Sequence, residues 1–498
     1  KNGNVFTNFL WYTVKKAGIK FKTILYVTKG EKNMKHLFTE KVVPIELDNP
    51  SIKIDYDKCI KCGLCKRVCE NEIGVSNYFD LEKTNDIAIC IHCGQCAQIC
   101  PKQAITIVDD VYRVKEAIAD PEKVVIFNTA PAVRVALGDE FNMEAGAYVE
   151  DKMVDALRKL GGDYVLDVTF GADMTIMEEG SELVSRVLKG SENLPQFTSC
   201  CPSWVKFVET FYPELIPNLS TTKSPISIQG AVVKTYFAKQ ANIDPASIVN
   251  VTIAPCSAKK YEIDREEFNS SAEFNEIEGL RDNDILLTTK ELSQWLKEEN
   301  IDFANLEGSK FDNMLGLGSG AGVIFGNSGG VMEASVRTAY NILTQEQPPQ
   351  ELLEFTPVRG LEGVKEATVE IAGKTLRLAA VQGTANARTL IEKIKSKEVE
   401  YDFVEVMTCK GGCIGGAGQP KMKPRVTDDL RLKRIESLYD KDSNIEIKSS
   451  YENPDVINIY KDFFKQPLSH LSHQLLHTHY ESKKHMLGED IKEESNIG

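Results

Sequence analysis

The thirteen cysteines of this 498-residue chain fall into motifs, and none of them stands alone. Eight form two four-cysteine runs near the N-terminus, and five occur further on as Cys200-Cys201, Cys256 and the pair Cys409 and Cys413. An odd count with C-x2-C spacing is typical of metal centres in a reducing compartment rather than of disulfides. We therefore expect a fold built around metal sites and a cytoplasmic location.

The two N-terminal runs share the spacing C-x2-C-x2-C-x3-C. In two-cluster ferredoxins with this spacing, the fourth cysteine of each run ligates the other cluster. We therefore expect one 4Fe–4S cluster on Cys59, Cys62, Cys65 and Cys100, and a second on Cys90, Cys93, Cys96 and Cys69. Structural zinc is the weaker alternative, because zinc sites favour separated C-x-x-C pairs, often with histidine.

Charged side chains surround the first run. Lys53, Lys58, Lys61, Lys66 and Arg67 form a local basic patch on a chain of net charge −14. Such a patch is suited to an acidic electron carrier, and an ordinary solvated surface is the equal alternative. The net charge disfavours a nucleic-acid role, and no apolar run reaches the roughly 18 residues that would span a membrane. His92, between two predicted ligands, is expected to be an exposed ring or a neighbour of the ligands.

Residues 110–420 alternate between strand-like and helix-like segments. The apolar stretches 124–128, 164–168, 249–254, 285–287, 376–381 and 404–407 predict strands, and helical patterns follow most of them, including 175–188 and 385–394. Thr288 to Glu291 has the pattern of a capping box that opens a helix. This alternation predicts an α/β fold with mainly parallel sheets covered by helices on both faces.

The five remaining cysteines stand at places where such sheets bind ligands, beyond the carboxyl ends of strands. Cys256 and Cys409 each follow a predicted strand, and Cys200 and Cys201 precede a helix that begins near Pro202. We expect these thiols to meet in one buried pocket, because four thiolates suffice for a cubane cluster. Without the other four cysteines, Cys256 would be interpreted as an ordinary buried residue of the apolar core. The glycines between 411 and 418 are expected to let the backbone approach a bulky inorganic ligand.

Three segments carry a resemblance to a known family: Thr198 to Trp204, Pro255 to Lys259 with Glu262, and Glu405 to Pro420. Together they resemble the signature segments of FeFe-hydrogenases, over most of the chain. The resemblance implies reversible reduction of protons to dihydrogen at the H-cluster, a 4Fe–4S cubane bridged to a two-iron unit with CO, cyanide and azadithiolate. It also implies two lobes with parallel sheets, electron entry through an α+β ferredoxin-like domain, and loading of the two-iron unit by maturation proteins.

The resemblance also assigns residues. It implies that Cys201, Cys256, Cys409 and Cys413 ligate the cubane, with Cys413 as the bridge, and that Cys200 passes protons. It implies a proton path through Glu182, Ser220, Glu179 and Arg186, although a Glu pair on one helix face is usually solvated. Lys259 would donate hydrogen bonds to a cyanide. The remaining residues expected to contact the cofactor are Ala130, Pro131, Ser224, Pro255, Phe325 and Met407.

Four residues depart from the family pattern. Ala132, Ile226, Ala254 and Ala417 replace the more common Ser, Gln, Met and Gly. We expect these changes to remove donors and bulk near the two-iron unit and to tune potential, catalytic bias or gas sensitivity. Two alternatives to an enzyme of this family remain: an iron–sulfur assembly protein of the same fold, which Cys200 and Lys259 disfavour, and a hydrogen sensor, for which no signalling domain is found.

The predicted organisation has five parts. Residues 1–49 form an extension, of which 1–33 contain no clear signal peptide and Met34 is a possible start. Residues 50–108 form the ferredoxin-like domain, and 109–425 form the catalytic domain. Residues 426–482, with His470, His473, His477 and His479, resemble the family's small-subunit region and are expected to wrap the fold rather than bind metal. Residues 483–498 are expected to be a charged, disordered tail. The expected electron carrier is a ferredoxin or flavodoxin.

Overall fold

The structure is a computed structural model that describes residues 41–75, 78–81, 84, 86–421 and 426–488. The predictions for residues 1–33 and for Met34 lie outside this range, as does the predicted tail from residue 489 onwards. The ten strands and eighteen α-helices given below are those of the described residues.

The first module is built from the two cysteine runs. Strands β1 (Ile52–Ile54) and β2 (Ile105–Ile107) pair antiparallel, and each run opens a helix, α1 (Leu64–Asn71) and α2 (Gln95–Ile99). Both helices begin after a glycine with left-handed backbone, Gly63 at φ 79° and Gly94 at φ 69°, a conformation that glycine adopts without steric cost. The predicted α+β ferredoxin-like arrangement is confirmed.

One parallel sheet lies behind Cys256. Its strands are β3 (Val124–Thr129), β4 (Tyr164–Asp167), β6 (Ile248–Ala254) and β7 (Ile285–Thr288), in the order β4-β3-β6-β7. Successive side chains of β3 alternate between two apolar clusters, with Val125 and Phe127 on one face and Ile126 on the other. Because both faces are buried, the strands are continuously apolar, as their sequences predicted.

A second sheet lies behind Cys201 and Cys409. Its strands are β5 (Gln196–Phe197), β8 (Val364–Ile371), β9 (Lys374–Gln382) and β10 (Phe403–Met407), in the order β5-β10-β9-β8. Strands β5, β10 and β9 are parallel to one another, whereas β8 pairs antiparallel with β9. Sequence analysis missed β8, an edge strand in which the adjacent Lys365 and Glu366, then Thr368 and Glu370, interrupt the apolar residues. The two-lobed fold with mainly parallel sheets is confirmed.

Helices cover both sheets. They are α3 (Val111–Ala119), α4 (Glu150–Lys159), α5 (Val168–Lys189), α6 (Pro202–Phe211), α7 (Pro225–Val232), α8 (Ala238–Ala241), α9 (Ala258–Ile263), α10 (Ser270–Asn275), α11 (Thr289–Glu298), α12 (Gly320–Val323), α13 (Gly330–Thr344), α14 (Gln350–Leu353) and α15 (Thr384–Lys395). Short 3-10 turns at Pro131–Val133, Leu137–Phe141, Pro213–Asn218, Phe303–Asn305, Ile324–Gly326, Thr356–Val358 and Cys413–Gly415 connect them, and Val233–Phe237 is π-helical.

Two helix starts illustrate how the caps act. Thr288 caps α11 through the predicted capping box with Glu291. Helix α5 begins at Val168 rather than at the predicted Thr175, because Asp167 accepts a hydrogen bond from the backbone N–H of Thr169 at 2.7 Å. The earlier start makes α5 a 22-residue helix that carries Glu179, Glu182 and Arg186 of the predicted proton path.

The C-terminal segment consists of α16 (Asp428–Asn444), α17 (Pro454–Ile459), a π-helical turn (Tyr460–Phe464) and α18 (His470–Leu476), with 3-10 turns at Ser450–Glu452 and Lys484–Leu487. Val456, Ile459, Leu475 and Leu476 are buried in the same apolar cluster as one face of the first sheet. The expectation of disorder from residue 483 is wrong for Lys483 to Leu487, because Lys483 pairs with buried Glu209 at 3.0 Å and Leu487 is buried. No helix of the described residues has the length and apolar character needed to cross a membrane.

Candidate active site

The eight cysteines of the ferredoxin-like module form two groups, each with a member of the other run. Cys59, Cys62, Cys65 and Cys100 line one cavity. Burial raises the pKa of the Cys69 thiol, and the nearby Cys93 and Cys90 raise it further. Burial also raises the pKa of the Cys96 thiol, and Cys90 and Cys69 add to that rise. The structure therefore brings together the residues of each predicted cluster.

The other cysteines come from the ends of strands in both sheets. Cys256 stands two residues after β6, Cys409 stands two residues after β10, and Cys201 is the N-cap of α6 after β5. Burial raises the pKa of the Cys256 thiol to about 11, with Cys201 as the next cause. Burial and then Cys256, Cys201 and Cys413 raise the pKa of Cys409. Four thiols from distant parts of the chain thus share one site, here called the thiol chamber (Cys201, Cys256, Cys409 and Cys413).

The thiol chamber fits a multi-iron cluster. Cys256, Cys409 and Cys413 lie deep in the fold, and each residue keeps part of its surface accessible. Within the part of the chain that the structure describes, no three His, Cys, Asp or Glu side chains are arranged to hold a single metal ion. Four thiolates are the ligand set of a cubane, in which each thiolate binds a different iron.

Beside the chamber lies a buried ammonium group. Lys259 Nζ donates to Glu262 Oε2 at 2.7 Å and to the carbonyl of Cys200 at 3.0 Å. Burial acts to lower the pKa of Lys259, but Glu262, Cys256 and Cys200 raise it, and the net shift is upward. An ammonium has three N–H donors, so Lys259 can donate to an anionic ligand in the chamber besides its two protein partners.

Cys200 stands apart from the four thiols of the chamber. Its side chain is buried in an apolar cluster with Phe325 and Met407, and Cys201 and Cys413 contact the same cluster. Burial raises the pKa of the Cys200 thiol, and Glu179 adds to the rise. The thiol therefore stays protonated near neutral pH and has a carboxyl group as its neighbour.

Two glutamates continue from Cys200 toward the surface. Glu179 is 1% exposed, and both of its carboxylate oxygens are buried without a hydrogen-bond partner of good geometry among the described residues. Burial and then Glu182 raise the pKa of Glu179 to about 8. Glu182 accepts a hydrogen bond from Ser220 Oγ at 2.7 Å and from Arg186 at 2.6 Å, and its side chain is 12% exposed. The solvated helix face that the sequence alone favours is therefore wrong for this pair.

Comparisons with known proteins agree with this geometry. The family described as iron only hydrogenase large subunit, C-terminal domain, matches residues 123–417, the iron hydrogenase small subunit matches 428–483, and a 4Fe-4S dicluster domain matches 50–105. The chain is 39% identical to iron hydrogenase 1 of Clostridium pasteurianum over 480 residues, which cover 94% of this chain and 82% of that protein. The chain belongs to the FeFe-hydrogenase family.

Other relatives place the hydrogenase within its family. It is 43% identical to the NADP-reducing hydrogenase subunit of Solidesulfovibrio fructosivorans, over 86% of this chain and 74% of that one. An apo [FeFe]-hydrogenase structure from Chlamydomonas reinhardtii has a TM-score of 0.66 and 38% identity, covering 75% of this chain and 99% of that one. The mouse cytosolic iron-sulfur assembly component 3 is more distant, at 30% identity over 74% of this chain and 76% of that protein. The 4Fe–4S clusters and the H-cluster are therefore cofactors of this hydrogenase.

The structure also locates the other predicted cofactor contacts. Phe325 and Met407 lie with Cys200, as described above. Pro131 is buried, and Ala130 packs beside Ile226 and Ala254 in a small apolar cluster. Pro255 accepts a hydrogen bond at its carbonyl from the N–H of Gly418 at 2.8 Å. Ser224 donates its hydroxyl to Glu262, the partner of Lys259, so it contacts the site through that carboxylate.

The four departures from the family pattern are all buried, but they do not share one location. Ile226 and Ala254 pack together, and Ala132 lies in a separate apolar cluster against α16. Ala417 instead faces the ferredoxin-like module, where a Cβ on Gly94 would stand 2.9 Å from its methyl group. The tuning role of all four stays a hypothesis.

Close packing of protein backbone requires glycine at two positions of the glycine-rich loop. A Cβ on Gly412 would meet the backbone nitrogen of Ser328 at 2.4 Å, and one on Gly416 would meet the carbonyl of Pro255 at 2.3 Å. These glycines therefore let three loops pack closely around Cys413. The predicted approach of the loop backbone to the inorganic ligand stays a prediction.

Sequence reasoning missed a residue that links the two modules. Gln95 Nε2 donates to Cys409 Sγ at 3.2 Å and to the carbonyl of Gly415 at 3.2 Å. Cys93 also lies close enough that Cys409 contributes to raising its pKa, after burial and Cys96. No local pattern marks Gln95, because its partners lie more than 300 residues away. His92, predicted to be exposed or near the ligands, is buried and lies 2.7 Å from Lys206 Nζ through its Nε2.

Proposed function

We propose that this FeFe-hydrogenase reduces protons to dihydrogen reversibly and delivers the protons through its own buried side chains. The observation that supports this most is the position of Cys200, a protonated thiol between the thiol chamber and Glu179. When bound, the H-cluster supplies the site at which protons and electrons combine. The chain supplies ligation, exclusion of water and proton delivery.

The proposed ligands follow the two groups and the chamber. Cys59, Cys62, Cys65 and Cys100 would hold one accessory cluster, Cys69, Cys90, Cys93 and Cys96 would hold the other, and Cys201, Cys256, Cys409 and Cys413 would hold the H-cluster. Support comes from the shared cavity of the first group and the mutual electrostatic influence of the other two. Lys259 donates to an anionic ligand, while Glu262 and Ser224 hold it in place.

The proposed proton relay runs along α5. A proton on Glu182 moves across Ser220 Oγ to Glu179, and from Glu179 to Cys200 Sγ. The pKa of about 8 keeps Glu179 protonated at neutral pH, so it has a proton to give and can be reloaded at little cost. Arg186 holds the outer carboxylate in position.

We further propose that a ferredoxin or flavodoxin is the electron carrier and docks at the first accessory cluster. Cys62 is exposed there, beside the apolar Ile60, which is 58% exposed, and the exposed Lys58. Such a mixed apolar and basic rim suits an acidic carrier. A cytoplasmic location and loading of the two-iron unit by maturation proteins belong to the same proposal, supported by thirteen cysteines of which none forms a disulfide.

The test of the relay is Cys200→Ala. We expect the variant to keep its iron content and cluster spectra but to lose turnover by about a hundredfold or more, because a positioned proton donor contributes that much. Dihydrogen production is measured with a reduced dye and, at rising salt, with reduced ferredoxin. Full activity of Cys200→Ala would overturn the relay, and a ferredoxin rate that does not respond to salt would count against the docking site.

A further inference from the structure

A buried histidine of the C-terminal segment faces the outer end of the proton relay. His477 is 7% exposed, and its Nδ1 lies 2.8 Å from Thr221 Oγ1. Its Nε2 lies 3.1 Å from Glu178 Oε2. The backbone holds this arrangement, because Thr478 N–H donates to the carbonyl of Thr221 at 2.8 Å. Two different hydrogen-bonding partners therefore fix the two ring nitrogens.

The same threonine hydroxyl touches the relay. Thr221 Oγ1 lies 3.4 Å from Glu182 Oε1, and the Thr221 N–H donates to Glu182 Oε2 at 3.2 Å. Thr221 is therefore a direct neighbour of both Glu182 and His477. A hydroxyl can accept one hydrogen bond while it donates another, so it can pass a proton between two groups that do not touch each other.

We propose that Thr221 and His477 form a second route for protons between Glu182 and solvent, through the C-terminal segment. The proposal rests on the proposed role of Glu182 in the relay. It uses a segment whose histidines the sequence analysis assigned only to wrapping the fold.

The proton transfer is balanced and changes no oxidation state. Protonated Glu182 donates to Thr221 Oγ1 while the Thr221 O–H donates to His477 Nδ1. The O–H bond of Glu182 breaks, an N–H bond forms at Nδ1, and the hydroxyl regains a proton. The resulting imidazolium lies beside the Glu178 side chain, with its Nε2 3.1 Å from Glu178 Oε2. Uptake from solvent runs the same steps in reverse.

The route continues to the surface. The ring of His473 packs against that of His477 at a tilt of 44°, with centroids 4.4 Å apart, and His473 is exposed. Burial lowers the pKa of His473, and the neighbouring His477 lowers it further. The titratable groups that face His477 are Glu178, His473 and, across Thr221, Glu182, and Tyr460 donates to Glu178 at 2.5 Å. A proton on His477 is therefore one ring from water.

The alternative is that His477 and Glu178 only clamp the C-terminal segment. Thr221→Val and Thr221→Ser separate the two roles, because Val keeps the shape and removes the hydroxyl, while Ser keeps the hydroxyl. Both variants keep the backbone N–H to Glu182. Iron-loaded wild-type and variant enzymes are compared for turnover in H2O and in D2O, and for thermal unfolding.

We expect Thr221→Val to be severalfold slower and to show a larger solvent isotope effect, with unchanged unfolding, while Thr221→Ser behaves like wild type. His477→Gln keeps a donor for Glu178 but cannot carry a proton, so it should show the same slower turnover and larger isotope effect as Thr221→Val. If Thr221→Val fails to load iron, His477→Gln is the variant that tests the route. If Thr221→Val and His477→Gln both show the isotope effect of the wild type, whatever their turnover rates, the proposed route is overturned. Failure of the relay itself is recognised separately, since Cys200→Ala would then remain active.

Discussion

At the scale of single residues, burial decides what the acidic and thiol groups can do. Glu179 and Glu182 are three apart on one helix, a spacing that usually means a solvated face. Glu179 nevertheless lies under the second sheet and against Cys200, where its charged form loses hydration. Their spacing was readable from the sequence, but their burial was not, because it depends on elements that are distant in the chain.

The raised pKa of Glu179 predicts a pH-dependent stability. Folding raises this pKa from 4.5 to about 8, first through burial and then through Glu182. The folded chain therefore binds the proton more tightly than the unfolded chain. The stabilisation is complete below pH 4.5, falls as the pH rises toward 8 and is then lost, a change on the order of a few kcal/mol.

Glu179→Gln removes this titration. We expect its melting temperature, relative to that of the wild type, to rise across the same pH window and then to level off. Anaerobic thermal unfolding of the iron-loaded proteins measures this difference. Glu192→Gln, at an exposed position, is the matched control and should track the wild type; an equal response of both variants contradicts the prediction.

At the scale of elements, strand ends and loops bring the thiols together. Strands β6 and β10 were predicted with their cysteines just beyond them, and the structure confirms both. The close backbone contacts of the glycine loop were not foreseen, because what a missing side chain faces depends on tertiary contacts. The link through α2 was also missed. Its Gln95 reaches the thiol chamber and connects the ferredoxin-like module to the catalytic region.

The contact of Gln95 predicts a shift in reduction potential. An N–H donor at a ligating sulfur stabilises the more negative, reduced cluster. Gln95→Leu should therefore lower the midpoint potential of the cubane, by roughly tens of millivolts for a bond worth about 1 kcal/mol. A redox titration followed by electron paramagnetic resonance, on protein without the two-iron unit, measures this potential.

Gln98→Leu is the control for that experiment. Gln98 lies on the same helix and donates to the carbonyl of Gln419 at 3.2 Å, not to a sulfur. It should leave the cubane potential unchanged. Equal shifts in the two variants would assign the effect to the docking of the module rather than to the hydrogen bond.

At the scale of the whole molecule, the parts that the sequence separates share cores. Ile52 and Ile105 of the ferredoxin-like module lie in the same apolar cluster as Trp204 and Val406 of the catalytic region. The C-terminal segment likewise completes the core beside the first sheet, with Val456, Ile459, Phe464, Leu475 and Leu476 buried. Each such side chain contributes about 1.5–3 kcal/mol, so the five of the C-terminal segment together are comparable to the net stability of a typical domain.

These contacts predict that the C-terminal segment is needed for folding but need not be covalently attached. The chain ending at residue 425 should load iron poorly. Co-expression of residues 426–498 as a separate chain should restore loading and activity, because the contacts are non-covalent and the small-subunit family matches 428–483 as a unit. Iron content and melting temperature measure the outcome. An equally stable and iron-loaded chain without the segment would contradict the prediction.

The sequence by itself determined the chemistry of this hydrogenase: the cysteine spacing, the strand and helix alternation and the family segments are local patterns that need no coordinates. Only the tertiary structure decided which groups are buried away from water and which carboxylate lies near Cys200. It also decided which backbone the loop glycines pack against, and that Gln95, Thr221 and His477 lie close to the site. The physical reason is that burial and hydrogen-bond partners are properties of chain segments far apart in sequence, and a local pattern carries no information about what packs against it.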